Sequence, residues 1–312
     1  SLADDYRRQY AWRDWKRVFD ALPVLTGQRV LDLGCAIGDQ AAELAARGAR
    51  VVAIDTNEEL LAVARARGET RVEFRSGDLA APLALGGGFD GLWCSFGTAY
   101  FCALAPHLAA WTRELRPGAW VVLTEIDDLF GHAPLASRTR ELLEQYAREA
   151  LAAGRYDFHM GRKLATHARA AGLEVVRELA LDDAEFSCDG PVRPDVIDAW
   201  RARFERMTLL RALCGAEFDA VRDDFLGCLA RREHRLDPDQ VEALGRHFLD
   251  PAQPFDVALR VEAVFFGERF GAISPRCSYI RSVCGCISAS SAATEIMKTP
   301  CSSLKVAFTC RR

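Results

Sequence analysis

Short apolar runs with strand-like alternation punctuate residues 28–126, and each is followed by a stretch with helical spacing. Residues 29–33, 50–54, 72–76, 89–95 and 120–125 read as strands. Residues 39–47, 57–67 and 107–115 read as helices, closed by Gly48, Gly68 and the Pro117-Gly118 pair. Strand–helix alternation at this spacing predicts an α/β fold with a parallel sheet and helices on both faces. Ahead of it, Tyr6, Tyr10, Trp12, Trp15 and Phe19 recur among charged residues at roughly helical spacing, which predicts one helix over 4–21.

Beyond the fifth strand the pattern changes. Helices are expected over 136–153 and 162–171, then a strand over 173–181. Amphipathic runs at 195–213, 217–232 and 239–248 make the stretch 195–249 almost wholly helical. Residues 257–266 alternate cleanly and read as a late strand, with 279–288 competing for the role of last strand. The expected layout is an N-terminal helical segment over 1–27, a core over 28–181, a helical insertion over 182–255, a strand-bearing segment over 256–270, and a tail over 271–312 that is disordered or supplies the last strand.

Charge and cysteine usage narrow the function classes. The net charge is −4, yet from Gly271 onward six basic residues face a single acid, Glu295. The body is therefore more acidic than the whole, a poor match for a nucleic-acid backbone. No apolar run approaches the length needed to span a bilayer, and no signal-peptide pattern opens the chain. Six cysteines (Cys35, Cys94, Cys102, Cys188, Cys214, Cys228) are scattered through the body and five crowd the tail. None forms a C-x-x-C pair, so no metal site is expected, and a reducing, cytoplasmic location is the default expectation.

The chemistry concentrates in Val30-Leu31-Asp32-Leu33-Gly34-Cys35-Ala36-Ile37-Gly38, an apolar strand running into a glycine-bearing turn and a helix. This resembles the D-x-G-x-G-x-G motif of class I S-adenosylmethionine-dependent methyltransferases of the small-molecule type. Asp32, Gly34 and Gly38 match; Ala36 stands where the middle glycine would be. The rival G-x-G-x-x-G dinucleotide pattern meets Gly34, Ala36 and Asp39, so only one position matches, and Asp39 would oppose a pyrophosphate at the helix N-terminus. Four further matches follow in order: Asp55 at the end of the second strand, Ser76-Gly77-Asp78-Leu79 after the third, Phe89-Asp90-Gly91-Leu92-Trp93-Cys94-Ser95 as the fourth, and Leu115-Arg116-Pro117-Gly118-Ala119 as a turn before the fifth. The resemblance covers residues 28–126 well and 160–181 loosely.

The resemblance implies a Rossmann-like, doubly wound, mostly parallel seven-strand sheet with helices on both faces and a helical insertion near the C-terminal end. It implies S-adenosyl-L-methionine as cofactor, held by Asp32, Gly34, Cys35, Ala36, Gly38, Asp55, Thr56, Asp78, Leu79, Ser95 and Phe96, with Tyr10 and Trp15 from the N-terminal segment as a candidate lid; the simpler reading of that segment is an amphipathic helix packed on the sheet. Asp55 would accept from the ribose hydroxyls, and Asp78 from the adenine amino group. His132 and Tyr100 are the catalytic candidates, with His159 a second imidazole; a lone loop histidine is as readily a surface or capping residue. The implied reaction is methyl transfer to an O or N atom of a small molecule, with no nucleic-acid or membrane partner, by a monomer or homodimer. The alternatives are a catalytically silent S-adenosylmethionine-binding protein, or an enzyme acting on protein or tRNA. The insertion is expected to cap the acceptor pocket, with Trp200, Phe204 or Met207 near its mouth and residues 6–15 bordering the same opening.

Overall fold

The computed structural model describes residues 1–181, 183–186 and 190–231, and the backbone of 303–311. The helix expected over 239–248 and the strands expected over 257–266 and 279–288 lie outside the described residues.

Two helices, α1 (Leu2–Ala11) and α2 (Trp15–Phe19), replace the single one expected over 4–21. The interruption follows from Arg13, whose buried guanidinium donates to Glu185 at 2.7 Å and lies 3.6 Å from Asp183. Asp14 then restarts the helix, its side chain accepting from the Arg17 N–H at 3.4 Å. Next come β1 (Arg29–Leu33), α3 (Asp39–Ala46), β2 (Arg50–Asp55), α4 (Glu58–Arg65), β3 (Val72–Ser76), β4 (Phe89–Ser95), α5 (Leu104–Trp111) and β5 (Leu115–Asp127). β5 starts earlier than expected: residues 115–119, read as a turn, form its first part, with a register shift between Phe89 and Gly91 on the neighbouring β4.

α6 (Ser137–Ala152), α7 (Leu164–Ala170) and β6 (Leu173–Leu181) match the expected pattern. The run 195–213 divides into α8 (Pro194–Arg206) and α9 (Thr208–Cys214), because Met207 leaves helical geometry at ψ 64°. α10 (Phe218–Arg231) follows, and β7 (Ser303–Arg311) comes from the tail.

The strand order is β3-β2-β1-β4-β5-β7-β6. The first five run parallel, and β7 pairs antiparallel with both β5 and β6. This is the Rossmann-like arrangement of parallel sheet and helices. Period-2 alternation divides its core. Val30, Val51, Ala53, Trp93 and Val122 pack on one face with α2 and α3 residues Phe19 and Leu44. Leu31, Leu33, Leu92, Val121 and Leu123 pack on the other with Leu108 of α5 and Leu164 of α7. A third cluster, built on Phe130, Trp200, Phe204 and Phe225, joins α6, α8, α9 and α10. Trp200 and Phe204 are both fully buried there. Among the described residues no helix is long and apolar enough to cross a membrane.

The sheet tolerates the Trp120 indole only because Gly91 lies under it: a Cβ at Gly91 would fall inside the ring system. Gly91→Ala is therefore expected to destabilise the protein by about 1–3 kcal/mol, the usual cost of overpacking. Denaturant unfolding of the two proteins checks this; equal midpoints would show that the indole moves aside freely.

Candidate active site

β1 is the point where the strand order reverses, so the loops leaving β1 and β4 diverge and a crevice opens beyond their carboxyl ends. The loop after β1 is anchored from β2: Gly34 and Cys35 both donate their N–H to Ile54 O, at 2.8 and 3.1 Å. Ala36 donates to Asp55 Oδ2 at 2.8 Å, and Asp55 Oδ1 accepts from Asn57 N–H at 2.8 Å. Asp55 thus holds the glycine loop and opens α4, while each oxygen keeps a lone pair for another donor.

Ala36 adopts a left-handed φ of +46° where the related motif has glycine. That costs an L-residue roughly 1–2 kcal/mol. The methyl is packed: Ala36 lies against a cluster of Ala3, Ile37 and Leu60, which Tyr6 and Val63 also join. α1 therefore rests on the glycine loop. Gly38 caps α3 at φ +77°, with the Phe74 ring occupying the space a side chain would need. Asp39, at the first position of α3, is ion-paired to Arg67, which also donates to Ile37 O at 2.8 Å.

Asp32 is buried, and its Oδ2 has no hydrogen-bond partner among the described residues. Desolvation, then the nearby Asp55 charge, pushes its carboxyl up to about 8. Such a carboxyl calls for a cationic or donor group from a ligand. Burial also raises the Cys35 thiol. Thr56 is exposed just beyond Asp55. Asp78 is exposed, and its side chain caps the Ala80 N–H at 2.8 Å; Leu79 beside it is buried and accepts from Trp111 Nε1 at 2.8 Å.

On the β4 side, Ser95 Oγ is buried without a partner among the described residues. Phe96 is left-handed at φ +58° and donates its N–H to Thr124 O. Its ring meets Trp15 edge-on at 5.9 Å and lies 5.2 Å from the Arg13 guanidinium. Trp15 is buried between Phe19, Trp93 and Phe96, so it supports the crevice from inside the core. Tyr10 stacks on Trp15 at 5.7 Å, and desolvation followed by Glu43 and Asp39 pushes its hydroxyl up to about 12.

Sequence reasoning did not single out Glu125. It ends the apolar part of β5, fully buried, and accepts from Thr98 Oγ1 at 3.0 Å, Ala99 N–H at 3.1 Å and Ile126 N–H at 3.1 Å. Burial pushes it up to about 7 against those three bonds. It fixes the short 3-10 turn Thr98–Tyr100 over the end of β4. The advance signal was an acid closing the otherwise apolar strand expected over 120–125. Arg13, Glu185 and Arg203 were also unforeseen: Glu185 bonds both arginines, at 2.7 and 2.8 Å, and so ties α8 to the chain between α1 and α2. Trp12 Nε1 to Asp195 and Arg206 to Asp5 reinforce that junction, at 2.9 and 3.1 Å.

Of the catalytic candidates, Tyr100 is exposed, at the end of the 3-10 turn that follows β4. His132 is buried, stacked on Phe186 at 5.8 Å with Trp200 and Phe225 edge-on at 5.9 and 5.2 Å. His159 lies 3.9 Å from Asp128, a residue with φ +67°. Trp200 and Phe204 belong to the helical cluster, and Met207 is partly buried against it. Among the described residues no group of three or more His, Cys, Asp or Glu is placed to hold a metal ion.

A family model described as a methyltransferase domain matches residues 30–118. The chain is 37% identical over 107 residues to a demethylmenaquinone methyltransferase of Clavibacter sepedonicus, covering 34% of this chain and 44% of that protein. It is 32% identical over 177 residues to a ubiquinone biosynthesis O-methyltransferase of Aromatoleum aromaticum, covering 54% of this chain and 72% of that protein. The chain belongs to the class I S-adenosylmethionine-dependent methyltransferases. A crystal structure of a methyltransferase from Bacillus halodurans is similar at 14% identity and a TM-score of 0.48, over 96% of this chain and 98% of that one. The methyltransferase spans about half the length of the first curated relatives it matches.

The cofactor is S-adenosylmethionine, and the unpartnered Asp32 carboxyl beside a loop held by Asp55 fits a ligand that carries an ammonium and ribose hydroxyls. The unfolded chain loses the Asp32 proton near pH 4, while the folded chain keeps it up to about pH 8. Asp32 thus destabilises the free protein increasingly as pH rises from about 4 to about 8. Asp32→Asn is expected to raise the melting temperature of the free protein at pH 8 but not at pH 4, and to weaken S-adenosylhomocysteine binding more than tenfold, on the order of a lost bond to a charged group. Melting curves at both pH values with calorimetry check this; a variant as weakly stable at pH 8 as wild type would refute the buried-charge account.

Proposed function

We propose that this methyltransferase transfers a methyl group to an oxygen or nitrogen of a small-molecule acceptor. One observation carries the reading: α1 lies directly on the glycine loop through Ala3, Tyr6 and Ala36, and Glu185 ties α1's junction with α2 to α8, contacts that favour a crevice roofed by helices. A roofed crevice suits a small acceptor better than a polymer. Relatives that act on demethylmenaquinone, in ubiquinone biosynthesis and on magnesium-protoporphyrin support a small-molecule acceptor.

On this reading Asp32 pairs with the cofactor's ammonium, Asp55 accepts from its ribose, and Asp78 with Leu79 borders the adenine. Gly34, Cys35, Ala36 and Gly38 line the loop beneath it; Thr56, Ser95 and Phe96 complete the walls, and Tyr10 and Trp15 back them. S-adenosylmethionine supplies a methyl group already activated on sulfonium. The protein's task is alignment of the acceptor and exclusion of water. Tyr100, exposed after β4, is the candidate to touch the acceptor, whereas the aromatic enclosure of His132 favours a packing role. On the same reading α8, α9 and α10, the described helices of the expected insertion, act as the cap, and the seven-strand sheet is completed by 303–311.

The protein is expected to bind S-adenosylhomocysteine and not NAD in calorimetry. Incubated with methyl-labelled cofactor and a cell extract, it should deliver label to the low-molecular-mass fraction. Label confined to protein or RNA would overturn the small-molecule reading. Asp55→Ala should weaken S-adenosylhomocysteine binding by roughly 1.5–3 kcal/mol; an unchanged affinity would mean that Asp55 serves the loop alone.

A further inference from the structure

Glu125 and the turn Thr98–Tyr100 belong to a closed circuit of hydrogen bonds at the carboxyl ends of β4 and β5. Glu125 Oε2 accepts from Thr98 Oγ1 at 3.0 Å and from the Ala99 N–H at 3.1 Å, and Glu125 Oε1 accepts from the Ile126 N–H at 3.1 Å. Ala99 is gripped from its other side as well: its carbonyl accepts the Asp157 N–H at 2.8 Å. The next residue then returns toward β5, Phe158 O accepting from the Asp128 N–H at 3.1 Å and the Leu129 N–H at 3.4 Å. The circuit leaves β5 at Glu125 and closes just beyond the end of that strand.

Its inner members, Thr98, Ala99, Glu125, Asp157 and Phe158, are all buried, whereas Tyr100 at the end of the turn is 61% exposed. The Tyr100 ring meets Tyr156 edge-on at 4.9 Å, on the segment that the same circuit fixes. An exposed side chain after β4 is thus oriented by bonds buried below it. A single 3-10 turn has poor hydrogen-bond geometry of its own, so its place depends on these outside bonds. Bonds to an ionised carboxylate are the strong kind, although burial works against the ionised form of Glu125. What the carboxylate adds over an apolar residue at the same place in β5 is its bonds to the turn.

We propose that Glu125 is a positioning residue for methyl transfer: through its bonds to Thr98 and Ala99 it fixes Tyr100 where the acceptor binds, without touching acceptor or cofactor itself. This rests on the small-molecule reading above, in which Tyr100 is the residue that meets the acceptor. Glu125→Gln keeps the shape of the side chain and puts an amide NH2 where one carboxylate oxygen accepted. Thr98→Val removes one donor from the circuit at nearly constant volume, and so tests the same link without altering Glu125.

The full chain is assayed with methyl-labelled cofactor and a dilution series of the low-molecular-mass fraction of a cell extract. Each variant should need about tenfold more extract for half-maximal labelling, with a maximal rate within about twofold of wild type and an unchanged S-adenosylhomocysteine affinity by calorimetry. A merely structural defect would instead reduce the amount of active enzyme, lowering the maximal rate at unchanged half-saturation. In a Tyr100→Ala background Glu125→Gln should raise the half-saturating amount no further, because the group it positions is gone. Wild-type half-saturation in both variants, a fall in maximal rate alone, a matching loss of S-adenosylhomocysteine affinity, or additive effects in the double variant would each overturn the positioning role and leave the small-molecule reading in place. Absence of label from the low-molecular-mass products of the wild-type protein would remove that reading, and this role with it.

Discussion

The reversal of strand order at β1 is the constraint on which the site depends. The chain leaves β1 toward β2 on one side and returns to β4 on the other, so no single loop can cover both strand ends. The loop after β1 is drawn toward β2 by Ile54 O and the Asp55 carboxylate. The loop after β4 is drawn the opposite way, by Thr124 O at Phe96 and by Glu125 at Thr98 and Ala99. Two carboxylates at the ends of β2 and β5 therefore hold the two lips of one crevice. Both left-handed non-glycine residues on those lips, Ala36 and Phe96, sit where these bonds act, so the backbone strain is balanced locally by the bonds that impose it.

Strand positions were legible because both faces of the sheet are buried, which forces apolar residues into short runs between helical stretches. The glycine loop, Asp55 and the 76–79 turn were legible because their chemistry is local. Contacts far apart in sequence were not. The break between α1 and α2 depends on Arg13 reaching Asp183 and Glu185, and nothing around residue 13 announces it. Glu125 looked like the polar end of a strand because its partners lie at Thr98 and Ala99. Trp200 and Phe204 carried the right aromatic character for a pocket mouth, yet their helical spacing faces Phe225 and Phe218 in the core.

The Arg13–Glu185–Arg203 junction shows what tying α8 to the α1–α2 segment costs. Glu185 is fully buried, and its charge is tolerated because two guanidiniums answer it, Arg203 first and Arg13 next. Burying such a cluster yields little net stability over an apolar equivalent, whereas removing one member strands the others at about 3–5 kcal/mol. Directional bonds of this kind fix one relative placement of α1, α2 and α8, where apolar packing alone tolerates sliding. Arg13 also lies over the Phe96 ring, so the placement of α1, α2 and α8 and the geometry of the β4 lip are coupled through one side chain.

The Asp32 carboxyl has a consequence for how the methyltransferase responds to its surroundings. Neutral in the free protein near pH 7, it becomes a carboxylate when an ammonium arrives, so one proton leaves as one net positive charge enters. The complex then carries the same overall charge as the free protein. Long-range screening has little to act on in such an exchange. Cofactor affinity should accordingly follow the proton concentration of the medium and be nearly indifferent to its ionic strength.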